Sequence, residues 1–253
     1  MTALKKLQLI FNTGTEPIFG NMWAKNELDK IKQTLSFYEF TVAAFCSAVF
    51  STTIIMLLPF VTLYTKGVTD IEYIRPDYAI MITLAYAVQC FRVPYLSVVG
   101  GVGHYKQTKN ASILEAVINL GLSVILVNLI GMVGVAIGTL AANLYRTVIF
   151  AVYIDNNVIH RGKIVFIKKI MWSFFNILVI VIPLYFITKN INFSGWLVWI
   201  LCAAAVFVLS VCEVVVSSLL FYRSDFKDAL KIGMRMFKKK STQISSTNSI
   251  GEL

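Results

Sequence analysis

Ionisable side chains are scarce wherever this sequence turns apolar, and the few that occur there are its candidates for chemistry. Arg92, Glu115, Arg146 and Glu213 each interrupt a long apolar run, and Asn119 follows Glu115 at i+4, on the same face of a helix. A charge in such surroundings is costly unless it is paired, hydrated in a cavity or put to use. Arginine suits a phosphate, because its planar guanidinium stays ionised and donates hydrogen bonds in pairs. Arg92 and Arg146 therefore read as the lining of a polar cavity that attracts an anionic group, with Glu115 and Asn119 beside them. The same residues admit a plainer reading, in which each guanidinium snorkels to a membrane surface or pairs with Glu115 to lock helices together. Glu213, with Ser210 and Ser217 on its helical face, is a candidate proton carrier or a locally hydrogen-bonded structural residue.

Other chemistries find no residues to support them. Gly100, Gly101 and Gly103 precede His104, but no Gly-Lys-Ser/Thr follows, so there is no phosphate-binding P-loop. The two histidines, His104 and His160, stand in separate basic loops, and no HExxH or Ser/His/Asp arrangement occurs. Cys46, Cys90, Cys202 and Cys212 lie inside apolar runs without metal-ligand spacing and read as small buried hydrophobes. Asn110-Ala-Ser and Asn192-Phe-Ser match the glycosylation pattern only as chance matches do. No catalytic residue, metal or cofactor is expected, and the chain does not read as an enzyme.

The elements that must carry these residues are membrane helices. Of 253 residues 57% are apolar and 14% charged, too little polar surface to cover a soluble core of this length. Six runs reach the length needed to cross a hydrocarbon layer of about 30 Å: Tyr38–Tyr64, Tyr78–Val102, Ala111–Leu129, Met132–Tyr153, Met171–Thr188 and Trp196–Phe221. Arg92 then lies about 15 Å from the inner end of the second run. Gly131 sits in an uncharged turn that demands a tight hairpin, and Gly134 and Gly138 form a GxxxG that lets helix backbones approach. The Gly100–Gly103 cluster is expected to loosen or end the second span. Leu4–Phe19, broken by Gly14 and Pro17, reads as the end of a span whose beginning is missing.

Charge sets the orientation. Residues 1–37, 103–110, 154–170 and those after Phe221 hold eighteen Lys and Arg, whereas the opposite connections hold only Lys66, Arg75 and Lys189. The first set is therefore cytoplasmic, both termini included. The net charge of +10 thus reflects topology and contact with anionic inner-leaflet lipids, not nucleic acid. Tyr64, Tyr78, Trp172, Trp196 and Tyr222, near span ends, read as interfacial anchors or lipid-facing bulk. Ser224–Lys240 has the pattern of a basic amphipathic helix on the inner membrane surface, and Ser241–Leu253 that of a disordered end.

The stretch Phe91–Arg146, with its Gly103-His-Tyr-Lys loop, Asn119-Leu-Gly-Leu-Ser helix and Gly131-Met-Val-Gly-Val-Ala-Ile-Gly-Thr turn, resembles the polysaccharide flippases of the multidrug/oligosaccharidyl-lipid/polysaccharide exporter superfamily. Gly20–Phe40 is similar to their cytoplasmic connection before a membrane helix. The resemblance implies an all-α polytopic membrane helix bundle of the cell membrane that corresponds to part of the second of two six-helix bundles plus a C-terminal helix pair. It divides the chain into a cytoplasmic segment with a helix stump (1–37), a four-helix bundle portion (38–153), a cytoplasmic loop with the helix pair (154–221) and a tail (222–253). It implies translocation of undecaprenyl-pyrophosphate-linked oligosaccharide, with Arg92 and Arg146 facing a cavity between bundles. The expected partners are that lipid-linked oligosaccharide, anionic lipids and a separate N-terminal flippase half, since the resemblance covers none of the first bundle. A cation-coupled drug exporter, which would need acidic groups deep in the bundle, and a non-transporting membrane scaffold are the alternatives. A membrane glycosyltransferase is disfavoured by the short connections.

Overall fold

The computed structural model describes residues 14–68, 73–162, 164–191, 193, 195–223 and 226. All regular structure among them is helical: α1 (14–24), α2 (Leu28–Tyr64), α3 (Pro76–Phe91), α4 (Val93–Val102), α5 (Tyr105–Ile130), α6 (Met132–Ile154), α7 (Ile164–Thr188) and α8 (Trp196–Phe221), with a π-helical turn at Asp155–Ile159 prolonging α6. Six helical stretches are long and apolar enough to cross a bilayer, and the chain is an all-α polytopic membrane protein. It divides into two compact units, Met1–Val214 and Val215–Leu253, and the packing that positions the polar clusters lies within the first. The amphipathic helix expected over Ser224–Lys240 falls, apart from Phe226, outside the described residues, as do the end at Ser241–Leu253 and the first part of Leu4–Phe19.

In a membrane interior the backbone must satisfy itself, which leaves side chains to decide how helices meet. Helix α5 packs along α6, α6 on α3, α3 on α2, and α2 on α7, while α4 touches α2 and α6. Small and hydroxylated residues sit at these contacts. The Ser47 and Ser173 hydroxyls lie 2.6 Å apart between α2 and α7. Asn143 on α6 donates to the Ala85 carbonyl of α3 at 2.9 Å, and Thr147 one turn later to that of Val88 at 3.3 Å. Helix α8 meets α2 through Trp199, whose indole N–H donates to the Met56 carbonyl at 3.1 Å, and through Val206 against Ile55 and Met56.

Three features differ from the sequence expectation. The span expected as Tyr78–Val102 is broken at Arg92, because Pro94 has no N–H to offer the Cys90 carbonyl and its ring crowds that group. Gly103, with φ of +75°, ends α4, but Gly100 and Gly101 stay helical. They make room for α1: a Cβ on Gly101 would stand 2.7 Å from the Glu16 carbonyl oxygen, and Phe19 is fully buried there. The described part of Leu4–Phe19, residues 14–19, is helical and belongs to α1, which docks on α4 with Thr15 bonded to Ser97 at 2.8 Å. Finally, Trp172 is neither an interfacial anchor nor lipid-facing bulk. It is buried and stacks on Phe40 with ring centroids 5.6 Å apart. Of the cysteines, Cys46 and Cys90 are buried as expected, Cys202 partly so, and Cys212 is exposed.

Candidate functional site

The α5–α6 hairpin brings the sequence candidates together. Gly131 closes it with φ of +67° and ψ of −145°, a conformation open essentially to glycine alone. The helices then run antiparallel in close contact. Gly134 lies against Leu126, Gly138 against Ser123, Thr139 against Asn119, and Arg146 against Glu115. Glu115 is thereby placed about 24 Å along α5 from the turn. Arg92 reaches α5 from the junction of α3 and α4.

Both guanidiniums converge on one carboxylate. Arg92 Nη1 donates to Glu115 Oε1 at 2.6 Å, and Arg146 Nη1 donates to Glu115 Oε2. The Arg92 side chain is 5% exposed, that of Glu115 15% and that of Arg146 22%, so the cluster opens on the Arg146 side. The Arg146 guanidinium also stands 4.9 Å above the Phe150 ring, a cation–π contact that steadies it independently of Glu115. Two cations on one anion leave one positive charge uncompensated among the described residues. The Nε–H groups of both arginines are buried without a hydrogen-bond partner among the described residues. Of the readings open from sequence, pairing with Glu115 is observed, and snorkelling to a surface is not what Arg92 does.

The remaining candidates stand apart. The Asn119 side-chain oxygen accepts from Ser123 at 3.2 Å and from Thr139 at 3.3 Å, which makes it part of the hairpin contact, not of the charge cluster. Glu213 is half-buried on α8 with Oε2 unpartnered among the described residues. The Ser210 hydroxyl bonds to the Val206 carbonyl at 2.8 Å.

A second cluster went unread in the sequence. Glu39 on α2 is buried, and its carboxylate accepts from Tyr95, Arg161 and Lys169. Tyr95 Oη donates to Oε1 at 2.5 Å, Arg161 Nη1 to Oε2 at 2.9 Å and Nη2 to Oε1, and Lys169 Nζ to Oε2 at 3.1 Å. Arg161 Nε donates to Asp155 Oδ1 at 3.0 Å, and Lys169 also donates to the Ser36 carbonyl and hydroxyl at 2.7 and 2.8 Å. Burial works against the charge on Arg161, but the Glu39 hydrogen bonds and charge outweigh it and hold the guanidinium above its ordinary pKa. Two cations face two anions, tying α2, α4, the π-turn and α7 together. A cleft beside them, lined by Glu39, Tyr95, Lys169, Phe91 and Phe166, has a volume of only about 10 Å³, room for about one water molecule and not for a small-molecule ligand. The available signal was Glu39 itself, an acid one residue into an apolar span. Arg161 and Lys169 were hidden among loop charges, and Lys169 proves to lie on α7, buried.

No family model matches the chain, and neither does any curated protein or solved structure.

Proposed function

We propose that this membrane protein supplies one wall of a translocation path for lipid-linked oligosaccharide, moving an undecaprenyl-pyrophosphate-borne glycan across the cell membrane for polysaccharide synthesis. A second helical bundle supplies the facing wall, and both termini are cytoplasmic, as the charge bias of the connections supports. The observation that carries the reading is the Arg92–Glu115–Arg146 cluster, which holds an uncompensated positive charge and unpartnered guanidinium N–H groups inside an apolar bundle. A diphosphate headgroup would meet there the charge and the paired donors it needs. The resemblance of Phe91–Arg146 to polysaccharide flippases supports it, since both arginines of that stretch belong to the cluster.

The test is polysaccharide export in cells. Arg92→Glu reverses the charge at the most buried member and is expected to abolish export while membrane insertion stays normal; unchanged export overturns the role. A second reading, cation-coupled export of a drug-like cation, is favoured only by the unpartnered Glu213 Oε2. It predicts that Glu213→Gln, not Arg92→Glu, stops transport.

A further inference from the structure

Resting on the proposed role of this cluster, we infer that Glu115 is a displaceable counter-ion that sets its selectivity, admitting a diphosphate and refusing the monoanionic phosphodiesters of bulk phospholipid. An unguarded pair of arginines open to a lipid phase rich in anionic headgroups would be saturated by them. Glu115 occupies both guanidiniums, one on each carboxylate oxygen, in the geometry an incoming phosphate would adopt. An anion that is to take those Nη groups must displace it.

Charge decides which anions succeed. A phosphodiester replaces one negative charge with one, and it leaves the carboxylate stranded in an apolar bundle, so the exchange is unfavourable. A diphosphate brings more than one negative charge and more acceptor oxygens, enough to engage the Nη groups that Glu115 releases and the Nε–H groups that it leaves unpartnered. The exposure gradient gives the route. Arg146 is the most open member and Arg92 the most closed, so the ligand meets Arg146 first and Glu115 swings away before Arg92 is reached. The ring of Phe150 keeps Arg146 in place during the exchange. Discrimination here comes from a built-in competitor rather than from an added contact.

The experiment uses the full chain in nanodiscs, titrated with farnesyl diphosphate in phosphatidylcholine and in phosphatidylglycerol-rich bilayers. The wild type is expected to bind farnesyl diphosphate with nearly the same affinity in both. Glu115→Gln is expected to bind it about tenfold more tightly in phosphatidylcholine and to lose that gain in phosphatidylglycerol, where the lipid now competes. Where Glu115→Gln does not give folded protein, Glu115→Asp carries the same test, because its carboxylate is drawn back by one methylene; it is expected to gain severalfold. Inorganic pyrophosphate titrated in parallel assigns the source. The gain appears there too for a headgroup-only site, and with the farnesyl compound alone for a lipid-borne one. Equal or weaker binding by both Glu115 variants, with binding still abolished by Arg92→Gln, overturns the competitor role and leaves the phosphate site standing. Farnesyl diphosphate binding that is absent from the wild type and from every variant overturns the site itself.

Discussion

Two buried ionic clusters occupy this helix bundle, and they are built on opposite principles. Around Glu39, two anions and two cations from α2, the π-turn, the loop after it and α7 balance in charge, with Tyr95 and Ser36 adding neutral hydrogen bonds and Asp155 Oδ2 left without a partner among the described residues. Around Glu115, two cations share one anion, and two N–H groups are left over. A balanced network in a low-dielectric interior fixes helices, because every departure strands a charge. An unbalanced one carries a standing demand for a further anion. The difference teaches where to look for function: at the cluster whose charges do not cancel.

The sharpest way to break that comparison is Arg161→Gln. Arg161 is the sole cation bonded to Asp155 and one of two bonded to Glu39 among the described residues, so its loss leaves Asp155, 1% exposed at its side chain, without a counter-ion. Removing one partner of a buried pair typically costs about 3–5 kcal/mol. Equilibrium unfolding in mixed micelles is expected to show a loss of that size. A loss below about 1 kcal/mol, the scale of an exposed pair, would mean that the Glu39 cluster is not the structural clamp described here.

A smaller effect is expected where the hairpin holds the unbalanced cluster. A Cβ on Gly138 would stand 2.6 Å from Ser123 Oγ and 2.8 Å from the Ser123 backbone nitrogen, so Gly138→Val must force α5 from α6. Overpacking of this kind costs about 1–3 kcal/mol. Because α5 relies mainly on α6 for contact, the shift is expected to separate Glu115 from Arg146 while the Glu39 cluster stays intact. Cysteines introduced in place of Glu115 and Arg146 report it, with crosslinking expected in the parent hairpin and lost once Gly138→Val is added.

How much of this was legible in the sequence follows from what each residue's neighbours in the chain reveal. Apolar length located the six spans, and the α5–α6 hairpin could be read whole because Gly131, Gly134 and Gly138 act between adjacent helices. Arg92, Glu115 and Arg146 stood out because each is a charge inside an apolar run, although spacing alone could not choose between pairing and an open cavity. The Glu39 cluster was illegible for the opposite reason. Glu39, Arg161 and Lys169 sit near span ends, where a charge is ordinary, and 122 to 130 residues separate the acid from its cations. Charge counting assigned Arg161 and Lys169 to topology, which is indifferent to whether a cation is hydrated or buried. The break at Arg92 was written in Pro94, but the apolar run continues across it and masks the signal.

The smallest expected effect on stability is also the most discriminating. Arg146→Gln removes one cation from the Glu115 cluster and leaves Arg92 and Glu115 paired one to one, so the cluster comes to resemble its balanced counterpart. Because Glu115 keeps Arg92 as its partner, the loss of Arg146 strands no charge and is expected to lower unfolding free energy by clearly less than Arg161→Gln does. Set against Arg161→Gln, an identical substitution at another arginine of an ionic cluster, the contrast isolates charge balance from the mere presence of an ion pair. Transport should run the other way. Arg161→Gln is expected to lower export only as far as it lowers the amount of folded protein. Arg146→Gln is expected to yield normal amounts of folded protein that exports poorly, because the uncompensated charge that would draw a phosphate is gone. Should Arg146→Gln instead destabilise the bundle as much as Arg161→Gln while its folded fraction exports normally, the two clusters would be alike in kind, and the Glu115 cluster would be a helix lock and nothing more.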